Sequence, residues 1–310
     1  MYRSLVARLI AGILFLVGCW IAYIQKQIGP APQLTLRQIK DNLYEIEGHG
    51  GNVGVYVTGE GVILVDDMYE QDFAAINSKV RSLTPLPVKY VLSTHHHADH
   101  SGGNTRFLPV AEILSTENAR ANIAGNPVNA PPGPFTRVYE LGQRLFLPPR
   151  PWRSHIRLLP ARVVFTQEAA VFLGGNEVRA YSFGRGHTNG DAVIYFPALR
   201  TLHAGDLMEN DMPYIDYKSG GSVVEWVKTL DKVMQLDFET VIPGHGPVTD
   251  KAGLLAYRNT VEKLYTRAAE LIRAGRSQEE VGKAMIAEFH WDPTGPQMTL
   301  SLPGMMAELK

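Results

Sequence analysis

The stretch THHHADH, residues 94–100, carries four metal-binding side chains within six residues. It follows the apolar run 88–93, which predicts a short buried strand that ends just before the histidines. Side chains alternate along a strand, so the first and third histidines should face the same side, and a turn beyond them can bring the last two ligands to a second metal. The candidate ligands in this stretch are His95, His97, Asp99 and His100.

An exposed histidine tract is the alternative interpretation, because such tracts bind metal adventitiously. Two features favour a built site. The histidines end an apolar strand, and the small residues 101–104 (SGGN) follow them and allow the backbone to approach closely. His96 stands between two candidate ligands and should point the other way, so we assign it to packing.

Four further polar residues stand at strand ends or in glycine-rich turns. They are Asp66 (in VILVD), His187 (in GHT), Asp206 (in GDL) and His245 (in PGHG). Together with the pattern His-x-His-x-Asp-His, and in the same order along the chain, they resemble the five motifs of the metallo-β-lactamase fold superfamily. The resemblance covers about residues 42–264.

The resemblance implies an α+β fold, the four-layer αββα sandwich, in which two mixed β-sheets pack together and helices cover their outer faces. The local patterns agree, because strand-like runs occur in both halves of the chain and helical periodicity follows each group. Residues 52–66 predict a β-hairpin, and residues 69–83, 223–236, 250–274 and 278–289 predict helices. The Pro- and Gly-rich residues 125–160 predict a long irregular connection.

By the same resemblance, two zinc ions share the bridging carboxylate of Asp206. The first ion would bind His95, His97 and His187. The second would bind Asp99, His100 and His245. A zinc pair of this kind shares a hydroxide that attacks a carbonyl or phosphoryl centre, and Asp99 would be the catalytic carboxylate that orients the nucleophile or moves its proton. One zinc ion, or iron or manganese in place of zinc, is the alternative.

Other polar residues receive supporting roles. Asp66 is predicted to hold a ligating histidine from behind. His49, in a glycine-rich loop, and Tyr214, which follows the Asp206 motif, are candidates for substrate contact. His203 is predicted to be a buried, satisfied side chain, and Asp191 to brace its loop.

The N-terminus predicts export. Two arginines precede the apolar run 9–24, a layout typical of a signal peptide or a membrane anchor, which we place at residues 1–28. The sequence LVGC resembles a bacterial lipoprotein cleavage box, so Cys19 is a candidate for lipidation. Every alternative delivers the protein outside the bacterial cytoplasm, either free in the periplasm or anchored to a membrane and facing outward.

Behind this segment we predict a linker (29–36), a metallo-hydrolase domain (37–275) and a helical extension packed on that domain (276–310). The 310-residue chain has a net charge of −1, so it offers no general basic field for nucleic acid. Its single cysteine excludes an intramolecular disulfide and a cysteine-rich zinc site.

These observations predict an exported dinuclear zinc hydrolase that acts on a small molecule, namely an ester, lactone, thioester or amide. True metallo-β-lactamases have Cys or Ser near the position of Asp206, so β-lactam hydrolysis is the alternative activity. A phosphodiesterase and a non-hydrolytic metal-binding accessory protein rank below both, because the fold alone does not decide the function.

Overall fold

The computed structural model describes residues 33–126, 158–209 and 212–310. The first sheet within these residues consists of β1 (Thr35–Lys40), β2 (Leu43–Glu47), β3 (Val53–Val57), β4 (Val62–Val65), β5 (Val88–Leu92), β6 (Glu112–Thr116) and β7 (Val163–Phe165). The strands lie side by side in chain order. Strands β1 to β4 form an antiparallel meander, whereas β4 to β7 run parallel, so the sheet is mixed.

The second sheet has six strands within the described residues. They are β8 (Glu168–Leu173), β9 (Asn176–Tyr181), β10 (Val193–Phe196), β11 (Thr201–Glu209), β12 (Thr240–His245) and β13 (Thr249–Asp250). Neighbouring strands follow chain order from β8 to β13. All the pairs are antiparallel except β11 with β12, which run parallel. This sheet is mixed as well.

Helices cover the outer faces of the two sheets. Those in the described part of the chain are α1 (Phe73–Leu83), α2 (Ala98–Ser101), α3 (Asn104–Phe107), α4 (Glu117–Gly125), α5 (Val223–Val233), α6 (Lys251–Arg273), α7 (Gln278–Phe289) and α8 (Leu302–Glu308). Side-chain caps begin several of them. Thr116 caps α4 and Asp250 caps α6, each by accepting a hydrogen bond from a first-turn backbone N–H.

Three apolar cores separate the layers. In β4, Val62 and Leu64 face the core shared with α1, whereas Ile63 and Val65 face the core between the sheets. Both faces of this strand are therefore buried, which explains its uninterrupted apolar sequence. The third core joins the second sheet to α5, α6 and α7. The predicted αββα sandwich is confirmed.

The C-terminal helices contribute to that third core. Met285 of α7 and Met305 of α8 are fully buried in it, together with Trp291 between them. Residues 276–310 thus pack against the second sheet's helical layer. At the other end of the described chain, β1 begins at Thr35, inside the segment that we predicted as a linker.

Several sequence predictions concern residues outside the described ranges. The signal peptide or anchor, its candidate lipidation site Cys19 and most of the connection 125–160 belong to this group. Among the described residues, no helix combines the length and the apolarity that a membrane crossing requires. The hairpin 52–66 was predicted well, as were the helices at 223–236, 250–274 and 278–289.

Candidate metal centre

The polar motifs meet where the parallel strand pairs of the two sheets end. Asp66 follows β4, the histidine stretch 94–100 follows β5, Asp206 lies in β11 and His245 ends β12. Two backbone hydrogen bonds join the sheets at this edge. They run from Asn52 N to Gly244 O (2.7 Å) and from Ala192 N to Thr94 O (2.7 Å). Residues far apart in sequence are thereby held within one cluster.

The structure brings the seven predicted metal ligands together as two neighbouring groups. The first group is His95, His97, His187 and Asp206. The second is Asp99, His100 and His245. In each group, one potential ligand atom per residue lies within 4.8 Å of the others. Strand β5 ends at Leu92, so the turn after it, rather than the strand alternation that we expected, places His95 beside His97.

The carboxylate of Asp206 faces both groups. Its Oδ2 lies 3.5 Å from His95 Nε2 and 3.4 Å from His187 Nε2. Its Oδ1 lies 3.1 Å from His100 Nε2 and 3.6 Å from His245 Nε2. One oxygen is therefore directed to each group, an arrangement in which a carboxylate can bridge two cations.

Two glycines make room for this carboxylate. Gly205 has φ = +51°, a conformation that side chains other than glycine rarely adopt, and it precedes Asp206 directly. A Cβ at Gly244 would overlap Asp206 Oδ1. The glycines of the two motifs GDL and PGHG thus have a steric role.

Asp66 holds His100 from behind. Its Oδ2 accepts hydrogen bonds from His100 Nδ1 (2.8 Å) and Thr94 Oγ1 (2.7 Å), and its Oδ1 accepts one from Thr94 N (2.7 Å). With its proton on Nδ1, His100 presents the lone pair of Nε2 to the centre. Partners of this kind fix the tautomer and the orientation of metal-binding histidines.

The loop 212–221 likewise supplies hydrogen-bond acceptors to two histidines of the first group. Asp216 Oδ2 accepts a bond from His97 Nε2 (2.9 Å), and the backbone oxygen of Tyr214 accepts one from His187 Nδ1 (2.7 Å). The remaining nitrogens, His97 Nδ1 and His187 Nε2, then face each other as lone pairs at 2.8 Å. Two lone pairs at this distance repel unless a cation lies beside them.

A second observation also indicates that the first group fits a metal ion. His95 Nε2 is buried and has no hydrogen-bond partner among the described residues. Its other nitrogen, Nδ1, lies 3.1 Å from Thr94 Oγ1, which leaves the lone pair of Nε2 directed at Asp206. Buried polar atoms are nearly always paired, so the lone pair of this nitrogen is suited to bind a cation.

Burial and neighbouring charges put the groups in metal-binding protonation states. Burial and the nearby His97 lower the pKa of His187 to about 4, and burial with the nearby His100 lowers that of His95 well below its usual value. Burial alone would raise the pKa of Asp206, but His100 and His95 hold it well below the ordinary range. These groups are therefore neutral imidazoles and an ionised carboxylate.

The second group contains the carboxylate of Asp99 and faces Asp206 Oδ1. Burial opposes ionisation of Asp99, but His100 and His245 outweigh it and lower the pKa of Asp99 to about 2. For His100, the carboxylates of Asp206 and Asp99 overcome burial and raise the pKa. A dication bound in this group would displace that proton, because metal and proton compete for the same nitrogen.

The candidates for substrate contact lie at different positions. The Tyr214 ring is half-buried and stacks at 6.1 Å from the His97 ring. His49 stacks on Tyr69 at 5.5 Å, and its Nε2 lies 3.4 Å from Asp72 Oδ2. Tyr214 thus borders the first metal group, whereas His49 is paired outside both groups.

The remaining polar predictions also have defined surroundings. His203 is buried and donates from Nε2 to Asn52 O (3.1 Å). Asp191 accepts bonds from the N–H and hydroxyl of Thr188 and so braces its loop. His96 Nε2 lies 3.1 Å from Ser219 Oγ, so its ring contacts the loop 212–221.

Sequence reasoning identified Asp66 but missed three other residues that hold the ligands in place. Asn52 donates from Nδ2 to Pro243 O (3.0 Å) and Gly246 O (2.8 Å), which fixes the turn that carries His245. Asp216 and Thr94 were missed as well. Thr94 directly precedes His95, so its role could have been suspected, whereas no local sequence pattern marks Asn52 or Asp216.

Comparison with known proteins agrees with this geometry. The sequence profile of the metallo-β-lactamase superfamily matches residues 46–245. A metallo-β-lactamase type 2 from Elizabethkingia meningoseptica is 21% identical over 236 residues, which cover 72% of this chain and 83% of that protein. The acyl-coenzyme A thioesterase MBLAC2 of Gallus gallus is 31% identical over 169 residues, 52% of this chain and 57% of that one.

Solved structures show the same fold. The DIM-1 metallo-β-lactamase superposes with a TM-score of 0.59 at 18% identity, covering 76% of this chain and 99% of its own. A metallo-β-lactamase from Pontibacter korlensis gives a TM-score of 0.56 at 20% identity, covering 74% and 99%. Since the family profile spans more than half of the chain, from β2 to the last histidine of the centre, this protein belongs to the metallo-β-lactamase superfamily.

Proposed function

We propose that this protein is an exported dinuclear zinc hydrolase that cleaves an ester, lactone, thioester or amide. The observation that carries the proposal is the Asp206 carboxylate, which directs one oxygen to each of two ligand groups. Superfamily membership supports hydrolysis as the reaction class. The small-molecule substrate is inferred from the same relationship.

Zinc suits the donor set. The first group offers three imidazoles and a carboxylate oxygen, and the second offers two imidazoles with the carboxylates of Asp99 and Asp206. Neutral imidazole with carboxylate is a ligand set that zinc prefers, although iron and manganese accept it too. A bound zinc pair supplies Lewis acidity and an activated water nucleophile.

Asp99 is the residue that we assign to proton transfer. Its Oδ2 lies 3.3 Å from His245 Nε2, and its side chain is 25% exposed, so it borders the open side of the centre. Because its pKa is lowered to about 2, the carboxylate is ionised at neutral pH. The ionised carboxylate can accept a hydrogen bond from an attacking water, orient it toward the carbonyl carbon and pass on its proton.

The protein positions the remaining groups before substrate arrives. Asp66, Asp216 and the Tyr214 carbonyl fix three imidazoles, so little reorganisation accompanies the reaction. We assign the half-buried ring of Tyr214 to the substrate-facing wall beside His97. His49 would reach a substrate only by leaving Asp72, so we place it at the margin of the site.

Beta-lactam hydrolysis is the second candidate. Relatives from Elizabethkingia meningoseptica and Chryseobacterium indologenes are named metallo-β-lactamases, and the matches cover 83% and 80% of those proteins. The thioesterase from Gallus gallus, although matched over a shorter stretch, supports the thioester as a substrate class. We rank β-lactam hydrolysis second because Asp206 stands at the bridging position, near which true metallo-β-lactamases have Cys or Ser.

Export is inferred from the N-terminal apolar run 9–24 alone. Fractionation of a bacterium that expresses the full chain tests it. We expect the protein in the periplasmic or membrane fraction, and replacing Cys19 with Ser should release it from the membrane only if that residue is lipidated. Recovery in the cytoplasm alone would contradict export.

The hydrolase proposal is tested with the full-length protein. Metal analysis should find two zinc ions per chain, and a panel of chromogenic esters, lactones, thioesters, amides and nitrocefin should identify the substrate class. Asp99→Asn should lower kcat by about 10²–10⁴-fold, the usual contribution of a general base. Asp41→Asn, an exposed carboxylate in the β1–β2 turn, is the matched control. A zinc-loaded protein that hydrolyses nothing in the panel would contradict the proposal.

A further inference from the structure

The loop 212–221 has two faces. Toward the metal centre it presents the Tyr214 carbonyl, which holds His187, and the Asp216 carboxylate, which holds His97. The residue between these two, Ile215, points the other way and is fully buried. Whatever fixes Ile215 therefore also fixes the partners of two candidate ligands.

Ser301, just before α8, fixes Ile215. Its hydroxyl accepts a hydrogen bond from Ile215 N (3.0 Å) and donates one to Ile215 O (3.0 Å). Ser301 is itself fully buried, so no water replaces these bonds. One side chain thus satisfies both backbone groups of Ile215, as a neighbouring strand would.

Glu308, at the end of α8, makes a second attachment. Its Oε2 accepts a bond from the Tyr217 hydroxyl (2.7 Å) and one from Val223 N (3.2 Å), and its Oε1 accepts one from the Ser222 hydroxyl. The carboxylate lies at the N-terminus of α5, where negative charge is favourable. It ties the far end of the loop to the same helix.

Two further contacts complete the attachment. Gln297 Nε2 donates to Met212 O (3.3 Å) at the beginning of the described loop. A Cβ at Gly304 would overlap the Tyr217 ring, so α8 lies directly against the loop. Attachments thus occur at the start, the middle and the end of the loop.

We propose that the C-terminal segment 297–308 is a positioning element for the metal centre, and that it acts on His97 and His187 through the loop 212–221. This inference rests on the proposed metal function. The segment lies beyond residue 245, where the match to the superfamily profile ends. Ser301 and Glu308 are its positioning residues.

The proposal predicts an effect on one group of ligands only. The His97 and His187 side chains depend on the loop, whereas His100 is held by Asp66, which follows β4 and lies outside the loop. Loss of a direct partner lowers metal affinity by about 10- to 100-fold. Ser301 acts one link further away, so we expect Ser301→Ala to weaken the first ion by about threefold to tenfold.

The test uses the full-length protein loaded with Co²⁺, whose paramagnetism moves the N–H proton signals of coordinated imidazoles away from the other resonances. In Ser301→Ala, the signals of His97 and His187 should shift or exchange faster with solvent, while that of His100 stays unchanged. Chelator competition should show the weaker first ion. Thr299→Ala is the matched control, because Thr299 is exposed and its hydroxyl donates to Gly295 O, outside the loop 212–221.

Tyr217→Phe provides a milder variant, since it removes only the hydroxyl that reaches Glu308. It should change the same two signals, less strongly. Unchanged signals and unchanged affinity in both variants would overturn the positioning role. Equal changes at His97, His187 and His100 would also overturn it, since they would indicate general loosening. A wild-type protein that binds no metal would instead overturn the proposed function, whatever the variants do.

Discussion

Replacing Asp66 with Asn tests whether the histidine tautomers prepare the centre for metal. In the wild type, Asp66 Oδ1 accepts a bond from Thr94 N, and Oδ2 accepts bonds from Thr94 Oγ1 and His100 Nδ1. An amide keeps only one acceptor oxygen. That oxygen should face Thr94 N–H, because a backbone donor cannot change its character, so the new NH₂ group faces His100 Nδ1.

His100 can accept a hydrogen bond from this NH₂ group if its own proton moves from Nδ1 to Nε2. This nitrogen lies 3.1 Å from both Asp206 Oδ1 and His245 Nε2. A proton there would occupy the Nε2 lone pair that the metal needs. Keeping the original tautomer instead forfeits a charge-assisted hydrogen bond, which is worth about 1.5–3 kcal/mol. At about 1.4 kcal/mol per tenfold, the second ion should bind about 10- to 100-fold more weakly.

The variant should fold, because Asp66 has φ = +61° and Asn tolerates this left-handed conformation. Chelator competition with Zn²⁺ measures the two affinities, and thermal unfolding of the metal-free protein checks the fold. Asp191→Asn is a matched control, since Asp191 is a buried carboxylate that accepts bonds from a threonine N–H and hydroxyl without a histidine donor. Asp66→Asn protein that binds two zinc ions with wild-type affinity would refute the tautomer argument.

Three further predictions concern other parts of the molecule. Asp206→Ala removes the oxygens that face both groups. Metal analysis should therefore find fewer than two ions per chain, with the greater loss of metal at the second site. Two tightly held ions would rule out bridging. Asn52→Ala leaves the carbonyls of Pro243 and Gly246 without their Asn52 hydrogen bonds. This should lower the free energy of unfolding by about 1–3 kcal/mol and weaken the binding of the second ion. An unchanged urea midpoint would contradict the role of Asn52 in fixing the turn. Burial and the adjacent Glu47 raise the pKa of Glu45 from 4.5 to about 7, so its stabilising contribution is complete below pH 4.5 and is lost as the pH rises through 7. Urea unfolding should therefore show Glu45→Gln gaining stability relative to wild type between pH 5 and pH 8, and a constant difference would show that Glu45 is not responsible.

Some elements of the fold escaped sequence analysis for identifiable reasons. Strand β2 contains Glu45, which is buried although it is charged, and β8 begins with a glutamate and two alanines, residue types that are depleted in strands. Both strands acquire their structure from pairing with neighbours. By contrast, β4 and α7 were predicted well, because apolar runs and helical periodicity are local properties.

The sequence by itself determined which residue types surround the candidate centre. The pattern HxHxDH is local, and the later histidine and aspartate motifs carry their own glycine-rich turns, so the ligand types and their order follow from the chain alone. The superfamily relationship followed from those motifs and is confirmed.

Only the tertiary structure decided how those ligands are held. His97 and Asp216 are 119 residues apart, and Ile215 and Ser301 are 86 apart, and no periodicity links such positions. Which nitrogen of an imidazole faces the centre depends on the partner of the other nitrogen, and for His97, His100 and His187 that partner is 27 to 119 residues away in the sequence. The residue types are a property of the chain, whereas their protonation and orientation are a property of the packing.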